Sequence, residues 1–546
     1  MDETAHPPAK RPRLSSPPIQ NSDNSTTVLA SLHRDVTPPS RTLRQSASST
    51  KDKNPPQESR VITSPFQLTH VRDLAESSGN NVDTVRLRDI LGDPMIRECW
   101  QFNYLFDVDF LMQQFDEDVQ SLVKVNVVHG SWKKEAPNRV RIDEACSRHP
   151  NVEAIVAYMP EAFGTHHSKM MILLRHDDLA QVVIHTANMI PGDWANMCQA
   201  VWRSPLLELR KDTEQRSGDV TKLGTGARFK RDLLAYLSEY GPKKTGSLVD
   251  QLRRYDFGAV RAALVASVPS KQKVNDMDSR RKTLWGWPAL KDVTRNIPIE
   301  KTSASTPHIV TQISSVATLG QTDKWLKDVF FTSLSQDPTV KKSIIFPTDD
   351  EIRRSLNGYG SGGSIHMKTQ SAPQQKQLQY MRPYLRHWAG DRDHNDQQGG
   401  VAVSKQDAGR RRAAPHIKTY IQFADAQTMD TIDWAMVTSA NLSTQAWGAA
   451  PNAAGEVRIC SWEIGVVVWP RLFTQGEAEL GAMVPCFKRD MPDERPSKTG
   501  DQSATVGLRM AYDLPLTPYT ATDTPWCATA MHTEPDWLGQ TWADDS

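Results

Sequence analysis

Beyond residue 60 the apolar residues come in two rhythms. Solid apolar blocks recur at 123–128, 152–159, 169–174, 182–186, 262–268, 308–313, 343–346, 417–423, 435–438 and 464–469. Blocks this short and this continuous predict buried strands. Between them, apolar positions return at helical spacing at 103–114, 228–237, 248–255, 322–331 and 374–388, which predicts helices, the last bent or divided at Pro383. Alternating strands and helices place the chain in the α/β class, with mixed sheets and flanking helices. The polar stretch 211–225, the Gly/Ser-rich 358–364 and the hydrophilic 390–414 read as loops, and the region after Pro470 reads as loop-rich.

Part of this pattern occurs twice. His167-Ser168-Lys169 opens one apolar block, the next block runs into Thr186-Ala187-Asn188, and Trp194 lies six residues past that Asn. About 250 residues later, roughly one domain length, His416-Ile417-Lys418 opens a block, another leads into Ser439-Ala440-Asn441, and Trp447 again lies six past the Asn. The repeat predicts two similar α-β-α sandwich domains related by a pseudo-two-fold axis, with the site in the cleft between them. The expected divisions are a disordered tail at 1–60, a first domain at 61–261 and a second at 262–546.

In a strand, His and Lys two apart share a face. A following strand that ends in Asn brings an amide beside them. Lys supplies positive charge, Asn a neutral donor, and His a nucleophile or proton carrier near neutral pH. Such a set suits an anion that gains charge in the transition state, above all a phosphodiester. Two facing copies supply one histidine for each side of an in-line displacement, with no metal required. A third triplet, His366-Met367-Lys368, lacks a following apolar block and a downstream Asn. With 15 His in the chain a chance match is expected, and the third is read as one.

Net charge is only +1, so nucleic-acid binding requires a local patch. Arg410-Arg411-Arg412, just ahead of His416, reads either as a solvated run or as a substrate-steering element. The six Cys, at 99, 146, 198, 460, 486 and 527, have neither C-x-x-C nor zinc spacing, which suggests reduced thiols. No apolar run approaches the ~18 residues of a membrane span. Residues 1–60 hold 25 Ser, Thr or Pro and too little apolar surface to offset their chain entropy. Within them Lys10-Arg11-Pro12-Arg13 reads either as a nuclear import signal or as an ordinary basic cluster.

Paired His-x-Lys with a downstream Asn resembles the phospholipase D superfamily. FGTHHSKMMILL, VVIHTANMI, PHIKTYIQF, VTSANLSTQAWGA and SWEIGV, together with FNYLFDVDFLMQQF, GYGSGGS and AYDLPLTPY, resemble its tyrosyl-DNA phosphodiesterase branch over about residues 60–530. The Asp usual in the wider superfamily five residues after each Lys is absent, Leu174 and Phe423 standing there, and that branch lacks it too.

The resemblance implies a metal- and cofactor-free repair enzyme that hydrolyses the bond between a tyrosine of a stalled topoisomerase and a DNA 3′-phosphate. It also implies removal of other 3′ blocking groups, single-stranded or nicked 3′ ends as substrate, a monomer, no membrane and a nuclear location. It implies His167 as nucleophile, His416 as general acid and base, and Lys169, Lys418, Asn188 and Asn441 as phosphate holders. Glu463 and Gln199 would orient the histidines, and Phe163, Ser443 and Ser364 would contact substrate. A phospholipase or nuclease of the same superfamily, or a silent nucleic-acid-binding scaffold, are the competing readings.

Overall fold

Two mixed sheets carry most of the strands, and both follow one plan. The computed structural model describes residues 60–211, 218–299, 305–389, 406–476, 479–492 and 503–543; most of the expected tail, including the basic cluster at 10–13, lies outside the described residues. The first sheet runs, in order across it, Phe66–Leu68, Ala200–Arg203, Leu179–His185, Met170–Arg175, Ile96–Phe102, Lys124–His129 and Val152–Val156, with Leu207–Glu208 also paired to Leu179–His185. The second runs Ala263–Ser267, Glu463–Val468, Ile432–Thr438, Thr419–Phe423, His308–Gln312, Lys341–Ile345 and Leu385–Arg386. Taken pair by pair, both sheets have four antiparallel contacts followed by two parallel ones. One topology is used twice, and the chain is an α/β protein of two such lobes.

The apolar blocks are continuous because both faces of each sheet are covered. Met170, Ile172 and Leu174 face a core shared with Ile421, Val437 and Val466 of the second sheet and with Phe229, Leu233 and Tyr236 of the helix Gly226–Ser238. The alternate residues Met171 and Leu173 face a separate core on the outer side of the first sheet. Tyr420, Met436 and Val467 do the same on the outer side of the second. A continuous apolar core therefore lies between the sheets, and it fixes the lobes as one body.

Some expectations are corrected by local chemistry. The helix expected at 103–114 is confined to Val108–Met112. The Asp107 side chain accepts from Phe110 N at 2.9 Å and starts the helix there, while Asn103 is held by Ala187 O at 3.1 Å. The helix expected at 374–388 is Ala372–Met381; Pro383 sits in the 3₁₀ turn Arg382–Tyr384, and Leu385–Arg386 then joins the second sheet. The region after Pro470 holds two parallel strands, Leu480–Cys486 and Ser503–Arg509, the second also paired with Arg60–Ile62. Residues 358–364 are a 3₁₀ turn rather than a loop, packed so closely that a Cβ on Gly362 would meet the Trp526 ring at 2.1 Å. Among the described residues no helix is long and apolar enough to cross a membrane, and the six cysteines are unpaired.

Candidate active site

Both His-x-Lys triplets lie just ahead of the strands Met170–Arg175 and Thr419–Phe423, not inside them. The lysine carbonyls still accept from the neighbouring strand, from His185 N at 3.0 Å and Thr438 N at 3.3 Å, while the residues before them are steadied by the opposite lobe. His167 N donates to Trp462 O at 3.0 Å, and Ile417 N donates to Cys198 O at 2.8 Å. Gly164 passes so near the other lobe that a Cβ on it would stand 2.1 Å from Cys460 O, so the first motif requires glycine there. His and Lys still share a side. Lys169 Nζ lies 3.0 Å from His167 Nε2, and Lys418 Nζ lies 3.2 Å from His416 Nε2. His166 turns away, its ring nitrogens held by Asn103 O at 3.0 Å and the Tyr240 hydroxyl at 2.9 Å.

Each histidine is backed by a residue of the opposite lobe. His167 Nδ1 meets Glu463 Oε2 at 3.0 Å, and His416 Nδ1 meets the Gln199 amide, with Nε2 at 3.0 Å and Oε1 at 3.3 Å. The hydroxyls of the two small-Ala-Asn motifs hold these backing groups. Ser439 Oγ donates to Glu463 Oε2 at 2.5 Å and accepts from Ile464 N at 2.9 Å. Thr186 Oγ1 donates to Gln199 Oε1 at 2.8 Å and accepts from Ala200 N at 2.9 Å. The hydroxyl at that position is thus a structural requirement of each copy, which the sequence pattern recorded without explaining.

His167, His416, Asn188, Asn441 and Glu463 line a cleft of about 330 Å³, together with Phe163, Ser364 and Ser443. Lys169, Lys418 and Gln199 are fully buried behind it. Asn441 Oδ1 accepts from the backbone N–H groups of Ser314 and Ser315 at 3.0 and 2.9 Å, which leaves its NH₂ as the free donor. Asn188 Oδ1 has no partner among the described residues. Ser443 Oγ caps the helix Thr444–Trp447 by accepting from Ala446 N at 3.0 Å, and Ser364 Oγ donates to Asp193 Oδ1 at 3.3 Å. Phe163 is 83% exposed at the rim. A larger depression of about 1030 Å³ beside Arg228 and Trp469 contains none of these residues, so size does not locate the chemistry.

The electrostatics favour an anion. Burial lowers Lys169 to about 8; burial and then Lys169 push Lys418 well below its ordinary value. Burial and then Lys169 lower His167 to about 4 against the pull of Glu463, while burial and then Lys418 push His416 well down. Both shifts favour the neutral imidazole. A phosphate between the lysines would oppose each of these downward shifts, as Glu463 and Asp193 already do at Lys169. Among the described residues no three His, Cys, Asp or Glu side chains gather into a metal-holding group.

The structure adds two residues and removes one expectation. Asp193, buried, places Oδ2 3.2 Å from His416 Nδ1 and accepts from Asn188 N at 2.7 Å; burial raises its carboxyl pKa. It stands just before Trp194, where the second copy has Ala446, so a search for what the copies share passes over it. His366, read as a chance match, lines the cleft because His366–Met367 pairs with Ser315–Val316, beside the backbone that holds Asn441. The steering role weighed for the Arg run is not supported. Arg410 is buried and donates to Thr69 O and Asn80 O at 3.1 and 2.6 Å, Arg411 pairs with Asp513 at 2.7 Å, and Arg412 lies 5.0 Å from the Trp537 ring centroid.

Two lobes of one topology, each lending a His, a Lys and an Asn to a shared cleft, define a protein of the phospholipase D-like class. The sequence pattern of the tyrosyl-DNA phosphodiesterase family matches residues 65–520, and the chain belongs to that family. It is 29% identical to a probable tyrosyl-DNA phosphodiesterase of Schizosaccharomyces pombe, over 88% of this chain and 96% of that protein. It is 27% identical to tyrosyl-DNA phosphodiesterase 1 of Arabidopsis thaliana, over 89% of this chain and 78% of that one. The crystal structure of the yeast tyrosyl-DNA phosphodiesterase shares the fold, with a TM-score of 0.58 and 22% identity over 85% of this chain and 98% of that one.

Proposed function

We propose that this protein is a DNA-repair phosphodiesterase that hydrolyses the bond between a tyrosine and a DNA 3′-phosphate. The observation that carries the reading is the meeting of two His-Lys-Asn sets in one cleft, each histidine backed from the opposite lobe. Membership of the tyrosyl-DNA phosphodiesterase family supports the choice of substrate.

In the first step the Nε2 lone pair of His167 attacks phosphorus. The P–O bond to tyrosine breaks, and His416, protonated once the anionic phosphate offsets the lysines beside it, gives its Nε2 proton to the departing phenolate. A phosphohistidine on His167 links protein and DNA. In the second step His416 takes a proton from water, the oxygen attacks phosphorus, and the P–N bond breaks to leave a 3′-phosphate and free His167. Lys169, Lys418 and the NH₂ of Asn441, with Asn188 opposite, hold the nonbridging oxygens as charge builds. Nothing in this sequence requires a cation. Other 3′ blocking groups enter the same route whenever the leaving atom reaches His416.

We place the substrate at single-stranded or nicked 3′ ends carrying a topoisomerase peptide, the active unit as a monomer, and the protein in the nucleus through the basic cluster at 10–13. The deciding assay uses a 5′-labelled oligonucleotide with a 3′-phosphotyrosyl end, beside phosphatidylcholine vesicles, with and without excess EDTA. Cleavage of the oligonucleotide alone, undiminished by EDTA, is expected. Activity lost to EDTA and restored by magnesium would sink the metal-free route, and lipid hydrolysis would sink the substrate assignment.

A further inference from the structure

We infer that Trp132 and Tyr158 form a stacking platform for the bases of single-stranded DNA, continuing the aromatic rim of the cleft along one edge of the first sheet. The inference rests on the DNA-processing reading above and extends it to a part of the substrate remote from the reacting phosphate. Its first support is the location of exposed rings. Of the five large aromatic side chains that stand strongly exposed among the described residues, four are Tyr104 at 41%, Trp132 at 60%, Tyr158 at 66% and Phe163 at 83%. The fifth, Trp537, has the Arg412 guanidinium against its ring.

Topology places these four together. Ile96–Phe102, Lys124–His129 and Val152–Val156 are neighbouring parallel strands, with Phe102 opposite Val128 and His129 opposite Val156. Their carboxyl ends therefore lie side by side, about 4.8 Å from strand to strand. Tyr104 follows the first strand, Trp132 the second and Tyr158 the third. Tyr104 also lines the cleft, its ring centroid 5.6 Å from that of His167, and Phe163 lines the cleft from the same loop as Tyr158. The row thus begins at the reacting histidine and leads away from it.

The backbone under the row is fixed. Asn138 Nδ2 donates to Ser131 Oγ at 2.8 Å and to Tyr104 O at 3.4 Å, tying the Trp132 turn to the first strand end. Ala157 N donates to His129 O at 2.8 Å, and Trp462 Nε1 donates to Tyr158 O at 3.2 Å. Rings carried on a fixed backbone and open to solvent suit unpaired bases, whose π-faces stack on them whatever the sequence. The charge is also suitable for a backbone of phosphates. Lys133 Nζ lies 5.4 Å from the Trp132 ring centroid and Lys134 is exposed beside it. Of the nearby acids, Glu161 is tied to Arg458, and Glu135 stands exposed after the lysine pair. A peptide on the tyrosine side would have less use for lysines beside flat rings.

The test compares Trp132→Ala, Tyr158→Ala and the double variant on two 3′-phosphotyrosyl substrates, a single nucleotide and a single strand of about twelve nucleotides. KM for the strand should rise about tenfold in the double variant, while kcat and both constants for the single nucleotide stay unchanged. Equal loss on both substrates, or none on the strand, would overturn the platform. So would a KM change that follows the length of the peptide on tyrosine instead of the length of DNA. Anisotropy with unmodified oligothymidylate reads the platform without cleavage, and its Kd should weaken by a similar factor. A wild-type protein that binds this strand through Trp132 and Tyr158 yet cleaves neither substrate would refute the proposed reaction and keep the platform.

Discussion

Behind His167 stands a carboxylate, Glu463; behind His416 stands an amide, Gln199, with Asp193 beside it. Nearly everything else in the two halves of the cleft matches: a lysine on each Nε2, a hydroxyl beneath each backing group, an Asn at each strand end. On the proposed reaction, the difference sorts the labour. The Glu463 carboxylate accepts, so it holds the proton of His167 on Nδ1 and leaves the lone pair on Nε2, where Lys169 Nζ lies 3.0 Å away. A nucleophile needs that fixed state. The Gln199 amide can donate or accept, and Asp193 supplies negative charge when Nδ1 carries a proton. A group that must be acid in one step and base in the next needs that tolerance. On the proposed reaction, a duplicated fold obtains two roles by changing what lies behind two matching rings.

The largest effect expected from breaking the comparison lies in the histidines themselves. His167→Ala removes the lone pair, so neither tyrosine release nor a protein–DNA adduct should appear. His416→Ala should lower turnover ~10²–10⁴-fold, the usual worth of general acid–base catalysis. Its loss should fall more heavily on the second step, because phenol, with pKa about 10, leaves unaided far more readily than water attacks unaided. A 5′-labelled substrate on a denaturing gel should therefore show an acid-labile protein–DNA band with His416→Ala, absent from the double variant. The same band with His167→Ala would mean the two roles are reversed.

Next in size is Glu463→Gln, which puts an amide behind both histidines. A ten- to hundredfold fall in kcat/KM is expected, as for other partners that orient a working imidazole. The sign of its pH effect separates charge from positioning. Protonated His167 cannot attack, so activity should fall as pH drops through about 4, and Glu463 raises that pKa against burial and Lys169. Without the carboxylate the pKa falls further, and the acid limb should move to lower pH while the plateau drops. A lower plateau with an unmoved limb, measured in assays brief enough to avoid acid unfolding, would leave Glu463 only a packing role.

Asp193→Asn should act on the other half and by less, about tenfold in kcat. Its carboxyl lies 3.2 Å from His416 Nδ1, where it would steady a protonated ring. In rapid-mix assays the first release of tyrosine and the later hydrolysis should both slow, with some adduct persisting. An unchanged balance between the two steps, with thermal stability lowered, would reduce Asp193 to the structural support of Asn188 N.

How much of this was legible depended on what repeated. The two His-x-Lys triplets and the two Asn could be found because each copy vouched for the other, and the strands because both faces of each sheet are buried. Glu463 and Gln199 have no repeated signature, since one is an acid and the other an amide, and only the family resemblance pointed to them. Asp193 was missed because its counterpart is Ala446, and His366 was set aside for lack of a downstream Asn, although pairing with Ser315–Val316 brings it to the cleft anyway. Arg410 misled because composition cannot tell a solvated cation from one buried against two carbonyls. The sheet of Leu480–Cys486 and Ser503–Arg509 was hidden because its other partner, Arg60–Ile62, lies at the opposite end of the chain.

The smallest expected effect is also the sharpest test of the comparison. Ser439 and Thr186 occupy equivalent places, each accepting from one strand N–H and donating to one backing group. Ser439→Ala and Thr186→Val both leave a backbone N–H without its hydroxyl, so that cost is similar on the two sides. What differs is the acceptor. A hydrogen bond to a charged group contributes about 1.5–3 kcal/mol, and one between neutral groups about 0.5–1.5 kcal/mol. Ser439→Ala should therefore destabilise the fold by about 1 kcal/mol more than Thr186→Val in urea unfolding, with a few-fold larger loss of kcat. The excess should vanish when both variants are made on a Glu463→Gln background, because both hydroxyls then face a neutral amide. A coupling between Ser439 and Glu463 no larger than that between Thr186 and Gln199, read from double-mutant cycles, would mean that the charge behind His167 is not what distinguishes the two halves.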